Sequence, residues 1–169
     1  MALKNPKEKG NNFERKIAKM FSEWAGVKFI RTPMSGAIHN FKDKRVVSDI
    51  VPPLSLEIFP FSIECKNVNC SWEISKILEG TSVTLGTHWE QCRNDAELED
   101  LRPWLIFTKN FRRIYSVMYK DDFELIKSNF SDYIEITLSD LKPIAIFDFQ
   151  EFLEKISINC FQKVFSSIE

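Results

Sequence analysis

A mixed β-sheet flanked by helices, an α/β fold, is the architecture this sequence predicts, and two stretches of residues predict it most directly. Phe13, Ile17, Met20, Phe21 and Trp24 recur at helical spacing, whereas Phe59, Phe61, Ile63 and Cys65 alternate with Pro60, Ser62, Glu64 and Lys66 as a strand requires. Helix and strand signals then take turns along 169 residues without an internal repeat, a low-complexity tract or a linker, which fits one domain. The chain is 44% hydrophobic, with 15 Phe and 4 Trp, so it can fill a core and general disorder is excluded.

The first helix is expected from about residue 10 to 25, ended near Gly26, with Arg15, Lys16 and Lys19 facing outward. Glu14 heads the row Glu14, Ala18, Phe21, Ala25 at the margin of the buried stripe, where an unpaired carboxylate is costly. A metal-bound water, a second cation or a basic partner would resolve that cost, and a place in the first turn of the helix is itself favourable for an acid. Val27 to Arg31 reads as a strand, residues 32–44 as a Pro/Gly/polar loop holding Ser35 and His39, and Arg45 to Val51 as a second strand stopped by Pro52-Pro53. The Phe59 to Lys66 strand follows, then a helix-like stretch over Trp72 to Leu78 and a helix from about Thr87 to Leu101. Trp104 to Thr108 and Arg113 to Tyr119 are strands joined by a turn at 109–112. The remainder alternates a helix (Asp121 to Asn129), two strands (Tyr133 to Thr137, Ile144 to Phe147) and a helix from Asp148 as N-cap to about Ile158.

Net charge is only −1, but it is unevenly spread. Residues 1–45 carry 11 basic against 4 acidic side chains, and residues 46–169 carry 12 against 20, so phosphate contacts are expected in the first part. A merely solvated polar face has the same composition. No apolar run reaches the ~20 residues of a membrane span, and Met1 to Lys9 lacks a secretory pattern, so the expected compartment is the cytoplasm. The four cysteines then read as reduced thiols, with Cys65 on a core face. Cys65, Cys70, His88 and Cys92 could form a zinc set, but the first spacing is unusual for one, and buried thiols are the favoured reading.

Asp49, followed fifteen residues later by Glu64-Cys65-Lys66, carries the chemistry. On a strand Glu64 and Lys66 share one face, so a carboxylate and an amine meet in one site. Phosphodiester hydrolysis uses such a set: hard oxygens of Asp49 and Glu64 would hold Mg²⁺ or Mn²⁺, which acidifies water and neutralises the scissile phosphate. Lys66 could orient the nucleophile and stabilise the pentacovalent phosphate. An isolated E-x-K is equally consistent with a surface strand ending in an ion pair.

Lys9-Gly10-Asn11-Asn12-Phe13-Glu14-Arg15, Arg31-Thr32-Pro33-Met34-Ser35-Gly36, Ser48-Asp49-Ile50 and Ile63-Glu64-Cys65-Lys66, in that order, resemble the archaeal-type Holliday junction resolvases of the PD-(D/E)XK nuclease superfamily. Trp72-Glu73, His88-Trp89-Glu90-Gln91-Cys92 and Pro103 to Phe107 look like the small phage-encoded branch, and the resemblance covers about residues 9–119. It implies a restriction-endonuclease-like fold, a homodimer, Glu14, Asp49 and Glu64 as acidic metal-site residues, Lys66 as catalytic lysine and Ser35 in a loop that contributes to cleavage. It also implies Gln91 on a helix bordering the site, with Arg15 and Arg31 meeting DNA beside Lys9, Lys16 and Lys19. Ser48 stands where the family often has Pro, and the loop from Ser35 to Asp49 is long. Residues 120–169 exceed the minimal fold and suggest extra core or a subunit contact.

The function expected is metal-dependent cleavage of four-way DNA junctions, with branched DNA as partner. The alternatives are a nuclease of the same superfamily acting on duplex, flap or single-stranded DNA, and a non-catalytic DNA-binding module whose acids form a salt-bridge network. Trp72, Trp89 and Trp104 are expected in the core. Lys109, Arg112 and Arg113 are either a second phosphate patch or a solvated turn. The acidic run Asp95, Glu97, Glu99, Asp100 is expected to be a solvated helix face, and His39 to be exposed.

Overall fold

The computed structural model describes residues 5–32, 48–56, 58–68, 74–110, 112–128, 130–138 and 142–167. In chain order these form α1 (Pro6–Ala25), β1 (Ile30–Arg31), β2 (Ile50–Val51), β3 (Phe61–Val68), α2 (Ile74–Leu78), α3 (Val83–Glu99), β4 (Arg102–Lys109), β5 (Ile114–Tyr119), α4 (Lys120–Ile126), β6 (Tyr133–Ile136), β7 (Ile144–Asp148), α5 (Phe149–Lys155) and α6 (Ile158–Phe165). The strands make one sheet in the order β1-β2-β3-β4-β5-β7-β6, with β3 and β4 parallel and every other neighbouring pair antiparallel. This is the predicted mixed sheet flanked by helices.

Strand parity sorts the core into two layers. On one face Ile63, Cys65, Trp104, Ile106 and Phe147 meet Phe13, Ile17 and Phe21 of α1 and the aromatics of α4, α5 and α6. On the other, Leu105, Phe107, Val117, Ile144 and Ile146 meet Leu85, Trp89 and Cys92 of α3. The run Trp104-Leu105-Ile106-Phe107 is apolar at every position because β4 is covered on both faces. Trp104 anchors the first layer: its indole N–H donates to Ser116 Oγ at 2.8 Å, and the rings of Phe21, Phe61, Phe149, Phe152 and Phe161 surround it at centroid distances of 5.2–6.2 Å.

α1 begins at Pro6 rather than near residue 10, because the Asn5 side chain accepts from the Lys7 N–H at 3.1 Å and Pro6 occupies a position that needs no N–H donor. Gly26, at φ 67°, ends it. α3 likewise starts before the predicted Thr87: Ser82 caps it by accepting from the Leu85 N–H, and Gly86 lies inside the helix. The helix expected from 148 to 158 ends at Lys155, since Ile156 is extended, and a further, unexpected helix follows from the cap Ser157. The indole N–H of Trp24 donates to the Ile156 carbonyl at that break, 2.6 Å away, and ties α1 to it. β1 and β2 are shorter than the strands predicted there, while residues 45–47 and 72–73 of two predicted elements lie outside the described residues. Among the described residues no helix is long and apolar enough to cross a membrane.

Candidate active site

The antiparallel pairing of β2 with β3 sets Ile50 against Ile63, so Asp49, one residue earlier, lies beside Glu64. The Asp49 backbone N–H donates to the Ile63 carbonyl at 2.9 Å, and its Oδ2 accepts from the Cys65 N–H at 2.8 Å. Both carboxylates are buried, Asp49 at 5% and Glu64 at 6% exposure. Two residues along β3 the Lys66 ammonium lies 2.5 Å from Glu64 Oε1, on the same face as the alternation predicts. The Gln91 amide, on α3, donates to that same oxygen at 3.1 Å.

Burial and the neighbouring Asp49 charge push the Glu64 carboxyl up to about 8, against the pull of Lys66. Burial works to lower the Lys66 ammonium, but Glu64 and Asp49 together outweigh it and its pKa is raised. His88 responds in the opposite sense, lowered by burial and by Lys66.

Glu14 approaches from α1, on the other side of the sheet. Its carboxylate is ion-paired with Arg31, whose Nη2 donates to Asn11 Oδ1 at 2.7 Å. Burial and then the Asp49 charge raise the Glu14 carboxyl, with Arg31 opposing. The basic partner, one of the solutions open for a carboxylate at this position, is therefore Arg31. Asp49 is the electrostatic centre, since its charge acts on Glu14, Glu64 and Lys66 alike. Among the described residues no three His, Cys, Asp or Glu side chains gather into one metal-sized set; Asp49 and Glu64 lie as a pair across the β2–β3 pairing, and Glu14, ion-paired with Arg31, feels the Asp49 charge from α1. The pair alone has the chemistry a hard cation takes: Mg²⁺ is usually held by one or two carboxylates, with water and substrate phosphate filling the rest.

Among the predicted DNA contacts, Arg15, Lys16 and Lys19 are exposed on the outer side of α1, with Arg15 bonded to Asn12 at 3.0 Å and Lys19 3.5 Å from Glu23. Lys9 Nζ donates to Asn110 Oδ1 at 2.5 Å, which joins the start of α1 to the β4–β5 turn. Arg31 faces Glu14 rather than solvent, because the buried acid needs its charge. Ser35, Cys70 and His39 lie outside the described residues. Cys65 and Cys92 are buried thiols whose pKa values burial pushes well up.

Glu99 corrects the reading of the acidic run as a solvated face. It is 4% exposed, and its carboxylate accepts from the Ser48 hydroxyl at 2.7 Å and the Ser48 N–H at 3.3 Å. Ser48 Oγ also shares a hydrogen bond of 2.7 Å with Ser62, so the residue preceding Asp49 is held from two sides. The signal was present: Leu85, Trp89, Cys92 and Ala96 form the inward row of α3, and Glu99 is its next member.

The chain matches, over residues 5–163, the model of a family described as "Phage putative PDDEXK endonuclease". It belongs to that family. Membership places the chain in the PD-(D/E)XK superfamily, and the matched span runs from the start of α1 into α6, beyond the segments that carry the resemblance. No curated protein and no solved structure matches the chain.

Proposed function

We propose that this PD-(D/E)XK family member is a divalent-metal-dependent endodeoxyribonuclease that cuts four-way DNA junctions as a two-fold homodimer. The observation that carries the nuclease reading is the buried Asp49/Glu64 pair in contact with one ammonium group. Asp49 and Glu64 are the residues that would hold Mg²⁺ or Mn²⁺, and when bound the ion supplies charge neutralisation at the scissile phosphate and a more acidic water. Lys66 presents its charge toward the same space and orients the attacking water. Gln91 fixes the rotamer of Glu64 by its bond to Oε1. Glu14 holds Arg31 at the flank of the site and through its charge keeps Asp49 company in the same field. Ser35 is proposed to assist cleavage from its loop. Lys9, Arg15, Lys16 and Lys19 would contact backbone phosphates without reading bases.

The junction as substrate is supported by the four ordered motifs that resemble the archaeal-type resolvases, and by symmetry: a junction offers two equivalent strands to a two-fold dimer. A panel of labelled junction, flap, duplex and single-stranded DNA with Mg²⁺ tests it. Wild-type protein is expected to nick the junction, and Asp49→Asn or Lys66→Ala to abolish nicking while binding persists. Equal cleavage of linear duplex would refute the junction and leave the nuclease; absence of metal-dependent nicking on every DNA would refute the nuclease. Binding should weaken with salt at a log–log slope of about −0.9 per neutralised phosphate.

A further inference from the structure

The face of the sheet that carries Lys66 continues into a second feature. In register, Lys66 pairs with Phe107, Phe107 with Tyr115, and Tyr115 with Asp148, so these side chains form one row across β3, β4, β5 and β7. At ~4.8 Å per strand, Tyr115 stands two strands, about 10 Å, from Lys66. Phe107 and Tyr115 lie ring by ring, centroids 5.6 Å apart and planes inclined by 30°. Phe107 is buried, but Tyr115 is 38% and Ile134 43% exposed.

These residues floor a groove of about 340 Å³, a volume within the range of small-ligand sites, between α2 and the ends of the strands. Its floor is Phe107, Tyr115 and Ile134, and its rim is Lys109, Arg112 and Arg113. Asp148 takes up part of the rim charge, 3.1 Å from Arg113. An exposed aromatic near the end of its strand, beside the exposed Ile134, edged by cations and in line with the candidate active site, suits an occupant that is flat and apolar on its faces and anionic at its edge. A nucleotide has that form, because every base offers a π-face and every backbone link a phosphate.

We infer that this groove receives an unpaired nucleotide of the DNA being cut, its base on Tyr115 and its phosphate on Lys109 and Arg112. The inference rests on the nuclease reading and extends it: the favoured substrate has unstacked bases within about 10 Å of the scissile phosphate, as at a branch point, rather than continuous duplex. Bases inside a duplex cannot enter, since both of their faces are already stacked on neighbours.

The test is equilibrium binding in EDTA, where no cleavage occurs, of a fluorescent oligothymidylate and of a blunt duplex. Tyr115→Ala is expected to weaken oligothymidylate binding about tenfold, within the range stacking of one base contributes, and to change duplex binding by less than about twofold. Tyr115→Phe should restore the wild-type value, because the ring and not the hydroxyl stacks. Arg112→Gln, on the exposed turn and away from the core, is expected to reduce the salt slope for oligothymidylate by about one, and serves if Tyr115→Ala does not fold. Unchanged oligothymidylate binding in both Tyr115→Ala and Arg112→Gln overturns the proposal. So does a wild-type dimer that Tyr115→Ala dissociates, which would make a second copy of the chain the occupant. The two readings fail separately: a wild type that nicks nothing loses the nuclease with the binding difference intact, whereas normal nicking beside unchanged binding loses the groove alone.

Discussion

Removing the charge of Glu64 should change how the metal-free protein responds to pH. Its folded-state pKa is about 8 against an ordinary 4.5, so the folded chain holds this proton where the unfolded chain has released it. The stabilisation is complete below about pH 4.5 and is lost as pH rises toward 8, at up to about 1.36 kcal/mol per unit. Over that interval the loss is on the order of 3–5 kcal/mol, the lower figure allowing for charge shared with Lys66. Urea unfolding in a chelator, followed across the window, should give a falling curve for wild type and a flatter one for Glu64→Gln. Glu14, raised in the same sense, and His88, lowered in the opposite sense, contribute equally to both proteins and cancel in the difference. Excess Mg²⁺ should recover stability at the alkaline end, by RT ln(1 + [Mg²⁺]/Kd), in wild type and not in the variant. Parallel curves for the two proteins would refute the claim that Asp49 and burial load Glu64 with a proton.

Three further outcomes are expected. Glu99→Ala removes the acceptor of the Ser48 N–H and leaves the Ser48 hydroxyl with Ser62 alone, and should cost about 2–4 kcal/mol in urea unfolding, with metal-dependent DNA cleavage falling and DNA affinity preserved. Gly80→Ala should cost at least about 2 kcal/mol by thermal unfolding, because φ is 69° and a Cβ there would stand 2.2 Å from the Thr137 carbonyl oxygen. Trp104→Ala, which empties the centre of the ring cluster and leaves Ser116 unpaired, should cost about 3–5 kcal/mol, measured as a shift in the denaturation midpoint.

What could be read from the residues followed from periodicity. The α1 stripe and the β3 alternation each have an unambiguous period, so the shared face of Glu64 and Lys66, the outward Arg15, Lys16 and Lys19, and the mixed sheet were all legible. Asp49 came with them, because its place needs only one strand pairing. Where local chemistry competed with the pattern, reading failed. The helix expected from Thr87 starts earlier because Ser82 caps it, and α6, beyond the helix expected to 158, begins at its own cap, Ser157. Glu99 looked like one more charge in an acidic run, since a residue type says nothing of a partner 51 positions away. The pairing of Arg31 with Glu14 was half legible: a basic partner was one of the solutions open for that acid, but nothing in the residues named Arg31, 17 positions away, as the one.

The ring cluster about Trp104 has a consequence for how such an enzyme can be altered. Phe149, Phe152 and Phe161 close the pocket that Phe21 and Phe61 open, and the Trp24 indole is bonded to the Ile156 carbonyl. A chain cut after Tyr119 would keep every motif of the nuclease and expose the inner side of the helix that presents Glu14. The last fifty positions thus act as the counterweight of the half that carries the candidate site, and shortening or grafting at that boundary would dissolve the site without touching one of its residues.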